Sequence, residues 1–316
     1  MKARQPESGE SDMILPHNEV CFGSSTGEGL YMPSQELTTG DGVSINMFEL
    51  KSGGGRDMLM LHGVARAGRT FSGFAAMLPD ELRISAIDFR GHGQSGRADS
   101  RYHVTDYVHD AITALEAIGR PTILYGHSLG SLVAAAVSAQ MPDAVSAIIL
   151  EDPPSATYWQ NLATTNYYPT FVAMRKWAGR MDLSSADIAL LLRNVPMQPT
   201  ADGRTVKLGD VRDAVSLRFT ASCVRQLDPK VMQAILEDDW QRGYDSESIF
   251  TAIRCPTLLL RGNTALGGML PADDADRMAG QLFDCTRIDF PTAGHLLHWQ
   301  MRSEASLQTA AFIESL

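Results

Sequence analysis

The chain has 316 residues, 44% of them hydrophobic and 20% charged, enough to bury a sizeable core as one large α/β domain or one domain carrying an insertion. A net charge of −10 disfavours nucleic acid and anionic membranes as principal partners. Cys21, Cys223, Cys255 and Cys285 lack paired or metal-type spacing, no apolar run nears a bilayer span, and the early Met13-Ile14-Leu15 run sits among polar residues, unlike a signal peptide; a cytoplasmic protein with free thiols is expected.

Residues 1–36, rich in Gly, Ser and Glu, read as an N-terminal arm and a candidate contact for a homodimer. Residues 43–50 then read as a strand, Gly53-Gly54-Gly55 as a turn and 58–61 as a short buried strand. A helical stretch follows over 71–78, then a strand at 83–88, a helix at 104–118, a strand at 122–125, a helix at 128–140 and a strand at 147–150. Alternation of this kind implies parallel strands joined by crossover helices. It breaks over 155–247, where amphipathic patches carrying Trp159, Tyr167, Tyr168, Trp177 and Trp240 suggest a helical cap inserted into a core of 37–154 and 248–316. The rhythm resumes with a strand at 257–260, a helix at 272–281, a strand at 286–289 and a closing helix at 304–316.

Tyr125-Gly126-His127-Ser128-Leu129-Gly130 places G-x-S-x-G between an apolar strand and a helix. A turn this tight needs small residues two positions either side of the serine, and it exposes the hydroxyl beside a helix N-terminus with free amides. Ser128 is therefore the candidate nucleophile. Leu61-His62-Gly63-Val64 also follows an apolar strand, so the Val64 amide can pair with the Leu129 amide as an oxyanion hole. His62 reads as a brace for that loop. Arg66 and Arg69 lie within reach of a pocket, although loop arginines more often face solvent.

The general base is expected late in the chain. Pro291-Thr292-Ala293-Gly294-His295 leaves a strand for a loop from which His295 can reach Ser128, with His298 as its competitor. The acid is sought at a strand end. No carboxylate occupies 261–265, whereas 147–150 runs into Glu151-Asp152-Pro153-Pro154. Asp152 is the first choice, Glu151 the second, and Asp273 or Asp274 the remaining candidates. Neighbours in an extended segment point to opposite sides, so one of Glu151 and Asp152 faces His295.

With His62-Gly63, Asp88-Phe89-Arg90-Gly91-His92-Gly93-Gln94-Ser95, Gly126–Gly130 and Gly294-His295 in place, the chain resembles the α/β-hydrolase superfamily over 37–316. The resemblance implies a mostly parallel eight-stranded sheet flanked by helices, with no metal and no organic cofactor. An acid after the sixth strand is similar to zearalenone-type lactonases and, except for the nucleophile, to haloalkane dehalogenases. Those dehalogenases attack with an aspartate, so Ser128 disfavours halide chemistry.

The resulting expectation is a Ser128–His295–Asp152 hydrolase acting on a small ester or lactone, with Val64 and Leu129 holding the oxyanion. His62, Trp159, Tyr167, Tyr168 and Trp177 are candidates for the substrate pocket, and the aromatic ones equally for a cap core. A carbon–carbon bond hydrolase or a cofactor-free lyase using the same serine and histidine is the alternative; a non-catalytic ligand receptor is a remote one.

Overall fold

The computed structural model describes residues 34–197, 205–237 and 240–316. Eight strands form one sheet: β1 (Ser34–Thr38), β2 (Ser44–Lys51), β3 (Asp57–Leu61), β4 (Arg83–Ile87), β5 (Thr122–His127), β6 (Val145–Glu151), β7 (Thr257–Gly262) and β8 (Cys285–Phe290). Their spatial order is β1-β2-β4-β3-β5-β6-β7-β8. The β1–β2 and β2–β4 pairs are antiparallel, and every later pair is parallel.

The central strands are apolar without a break because both faces are covered. All five residues of β3 and all six of β5 are buried. Alternation still sorts them by side. Leu59, Leu61, Leu124, Ile148 and Leu150 join one hydrophobic cluster, while Met58, Met60, Ile123, Tyr125 and Ile149 join the other.

No strand is expected over 34–38, and the expected arm boundary at 36 falls inside β1. Its residues follow an exposed-exposed-exposed-buried-exposed pattern with Leu37 as the one buried side chain, so hydrophobic periodicity is nearly silent there. The helix expected over 71–78 is a short 3₁₀ turn, Gly68–Phe71, and a single α-turn, Ser72–Ala75. The rest of the arm, and with it the dimer contact, lies outside the described residues.

Between β6 and β7 the described residues form helices, among them Tyr168–Trp177, Ser185–Arg193, Ala214–Gln226 and Pro229–Leu236. Their starts follow from capping. Ser184 accepts from the Asp187 amide while the Asp187 carboxylate accepts from the Ser184 amide, and Asp213 and Asp228 cap the next two helices. The last helix before β7, Ser246–Ala252, runs past the expected limit at 247. Among the described residues no helix is long and apolar enough to cross a membrane.

Parallel pairing brings the ends of β3, β5, β6 and β7 to one edge of the sheet. Leu61 pairs with Gly126, His127 with Glu151, and Glu151 with Leu260. The segments bearing His62, Ser128, Asp152 and Gly262 therefore emerge side by side, at the carboxyl edge where open α/β sheets bind ligands.

Candidate active site

Ser128 occupies a backbone conformation that L residues rarely adopt, with φ 56° and ψ −117°. Strain of this kind costs about 1–3 kcal/mol and persists only where the surroundings enforce it. They do so here. The Ser128 amide donates to the Glu151 carbonyl at 2.9 Å, the Ser131 amide donates to the Ser128 carbonyl at 2.9 Å, and Ser131 Oγ donates to the Gly126 carbonyl at 2.6 Å. A Cβ on Gly126 would collide with the Gly130 carbonyl, and one on Gly130 with the Leu61 carbonyl. Steric exclusion thus accounts for both glycines of the motif. Leu129 opens the following helix, Leu129–Gln140, so its amide has no intrahelical acceptor.

His295 sits on the loop after β8. The loop approaches β7 closely: a Cβ on Gly262 would strike the Gly294 carbonyl, and a Cβ on Gly294 would strike the Leu266 carbonyl. His295 Nδ1 donates to Asp152 Oδ2 at 2.7 Å. Asp152 is fully buried and also accepts the Gly262 amide on Oδ1 at 2.9 Å and the Met269 amide on Oδ2 at 2.8 Å. With Nδ1–H committed, Nε2 is the nitrogen left to accept a proton. The His295 carbonyl is itself held by His127 Nε2–H at 2.9 Å.

Glu151 faces the other way. It accepts the Tyr125 hydroxyl at 2.7 Å and His298 Nδ1–H at 2.8 Å. Burial holds the His298 imidazole below its usual range, against the opposing pull of Glu151. A neutral ring suits its partners: Nδ1–H donates to Glu151, and Nε2 lies 3.0 Å from Thr70 Oγ1. His298 is thereby separated from Asp152, and Asp273 and Asp274 begin the helix Ala272–Gln281. The donor atoms of His127, Glu151 and His298 lie within 4.8 Å of one another, which is a metal-like cluster. In it, Glu151 and His298 hydrogen-bond each other, and Glu151 also accepts the Tyr125 hydroxyl.

Ser128 and His295 border one cavity of about 60 Å³, together with Val64, Tyr167, Phe171 and Met269. Of the five pocket candidates, Tyr167 is there, its ring edge-on to His295 with centroids 5.7 Å apart. The other four do not line this cavity. His62 is fully buried, accepting the Phe89 amide on Nε2 and donating from Nδ1 to the Gly63 carbonyl; burial lowers its pKa to about 4. Trp159 packs against Trp240 with tilted rings, centroids 4.3 Å apart, Tyr168 is exposed, and Trp177 packs half-buried on the core.

The Asp88–Ser95 turn braces the Val64 loop from behind. Asp88 accepts the Gly68 amide, and His92 Nε2 accepts the Ala65 amide at 3.2 Å. Arg69 is exposed, but Arg66 is buried and lines the cavity, contrary to the solvent-facing expectation. Arg212 and Thr170 line it too, and no sequence motif marks either.

A mostly parallel sheet with a serine turn at its centre defines a hydrolase-type α/β scaffold. Residues 58–307 match the alpha/beta hydrolase family, and the chain belongs to it. Among characterised relatives, 2-(acetamidomethylene)succinate hydrolase of Mesorhizobium japonicum is 32% identical over 111 residues, covering 35% of this chain and 39% of that protein. Pimeloyl-[acyl-carrier protein] methyl ester esterase of Methylococcus capsulatus is 31% identical over 137 residues, covering 43% of this chain and 46% of that protein. The matches thus span less than half the length of either relative. A thermophilic esterase from Thermogutta terrifontis superposes with a TM-score of 0.65 at 20% identity, covering 90% of this chain and 98% of that one, a likeness of fold.

Proposed function

We propose that this hydrolase cleaves carboxylic esters or lactones through an acyl-enzyme on Ser128. The observation that carries the reading is the buried Asp152–His295 pair opening onto the cavity that Ser128 borders. His295 Nε2 takes the Ser128 proton as Oγ attacks the carbonyl, and the carbonyl π electrons move onto oxygen. The Val64 and Leu129 amides receive that oxyanion. Its collapse expels the leaving alcohol, protonated by His295, or in a lactone the ring oxygen. Water, deprotonated by His295, then attacks the acyl-serine and releases the acid and Ser128. Asp152 keeps Nδ1 protonated throughout and stabilises the imidazolium. The esterase named among the relatives supports an ester substrate. The free thiols of Cys223, Cys255 and Cys285 suit a reducing compartment.

The test is a panel of p-nitrophenyl esters and lactones, with Ser128→Ala as control and a fluorophosphonate as label. Turnover with a burst of alcohol, a labelled Ser128 and a silent variant is the expected result. Near-native turnover by Ser128→Ala would reject the assignment, and product formation without a trapped acyl-serine would favour lyase chemistry.

A further inference from the structure

Among the described residues, the cavity beside Ser128 is lined by two arginines, Arg66 and Arg212, and by no carboxylate. Arg66 is 5% exposed, and no carboxylate of a described residue comes within ion-pair distance of it. Its Nη1 donates to Thr220 Oγ1 and its Nη2 to Thr70 Oγ1, both at 2.8 Å. Phe219 and Trp299 flank the guanidinium, with ring centroids 4.8 and 5.4 Å away. Neutral hydroxyls and aromatic rings position a cation without neutralising it. Nε–H is buried with no partner at all, and the nearby carboxylate of Glu151 is taken by His298 and Tyr125. Arg212, half-buried on the same wall, donates to the Tyr167 hydroxyl at 2.6 Å and likewise has no carboxylate partner among the described residues. Burial lowers the Arg66 pKa to about 10, opposed chiefly by Cys223 and aided by the repulsion of Arg212, which leaves Arg66 charged at neutral pH. Thr170 adds a buried hydroxyl without a partner, facing the same space.

An uncompensated buried cation is unfavourable unless something supplies the counter-charge. Among the described residues the nearby acid, Glu151, is engaged elsewhere, so we assign the missing charge to what enters the cavity. We propose that the substrate is a short acid ester, lactone or amide carrying a free carboxylate, which Arg66 and Arg212 hold, with Thr170 as a further donor. Guanidinium donors match carboxylate geometry. The cavity, at about 60 Å³, admits a short-chain group and is far below the roughly 300 Å³ of sites that take drug-sized ligands. This inference rests on the hydrolase reading above and adds the charge of the substrate to it.

The experiment compares monomethyl with dimethyl succinate, glutarate and adipate as substrates of the full chain. In parallel, Ser128→Ala protein is titrated with the free diacids and with inorganic phosphate. At least one half-ester should exceed its diester in kcat/KM by tenfold or more, and that ratio should collapse toward one in Arg212→Gln and Arg66→Gln. Arg212→Gln, at a half-buried site, keeps the test available should Arg66→Gln fail to fold. Binding of a diacid to Ser128→Ala, lost with Ser128→Ala/Arg212→Gln, supports the inference without turnover. Equal rates on half-ester and diester with fluorophosphonate labelling intact, no diacid binding, or tighter binding of phosphate than of any diacid would overturn it and leave the hydrolase reading standing. Absence of labelling and of all turnover would instead remove the hydrolase reading.

Discussion

Glu151 and Asp152 are consecutive residues, yet each carboxylate holds a different histidine: Asp152 accepts His295 Nδ1–H at 2.7 Å and Glu151 accepts His298 Nδ1–H at 2.8 Å. The alternation at the end of β6 sends one side chain to the cavity side and the other into the packing around Tyr125. Asp152 also has φ 44°, a turn that carries the chain away from the strand at this point.

The two acids should fail differently when neutralised. Asp152→Asn cannot hold the correct imidazole tautomer and should lower kcat by on the order of 10⁴ in the folded fraction; its amide NH2 must also face the Gly262 or the Met269 amide, so stability falls as well. Glu151→Gln turns part of a buried acceptor into a donor facing Tyr125 and His298. It should cost stability on the order of 3 kcal/mol, with a much smaller loss of kcat in the folded fraction. Steady-state kinetics beside thermal melts separate the two, and reversed phenotypes would exchange the roles given to these carboxylates.

Strain at Ser128 predicts a divergence between two inactive variants. Glycine adopts φ 56°, ψ −117° freely whereas alanine does not. Ser128→Gly should therefore be more stable than Ser128→Ala by about 1 kcal/mol in urea unfolding. Equal midpoints would mean that the turn relaxes in solution.

Gly130→Ala tests the packing of the same turn. Its methyl would meet the Leu61 carbonyl on the neighbouring strand, backbone against backbone, with no side chain free to yield. A loss of about 3 kcal/mol or more is expected, together with loss of fluorophosphonate labelling. A native-like melt would show that the strand–helix junction can open.

Stability should fall with acid through the buried imidazoles. Burial lowers the pKa of His62 to about 4 and that of His92 to about 3, whereas the unfolded side chains titrate near 6.5. Below pH 6.5 the unfolded chain takes up protons that the folded chain refuses, so the contribution is complete above 6.5 and lost as pH falls toward 4. For His62 alone it is on the order of 3 kcal/mol. Urea midpoints at pH 7.5 and 4.5 should differ accordingly, and His62→Gln should reduce the difference. An unchanged pH dependence in that variant would place the sensitivity elsewhere.

The order of strands and helices and the Ser128 turn were legible along the chain because each depends on residues within a few positions: unbroken apolar runs for buried strands, and small residues flanking a strand–helix bend. β1 escaped because an exposed edge strand with Leu37 as its one buried residue leaves almost no periodic signal. Three-dimensional packing decided the rest. Trp159 and Trp177 read alike in sequence as core or pocket, and contacts such as Trp159 on Trp240 assign them to the core. The burial of Arg66 depends on Thr220, 154 positions away, and on the Phe219 and Trp299 rings. A cation's exposure is set by what folds over it, and those covering groups come from segments that meet only once the sheet and its helices have assembled.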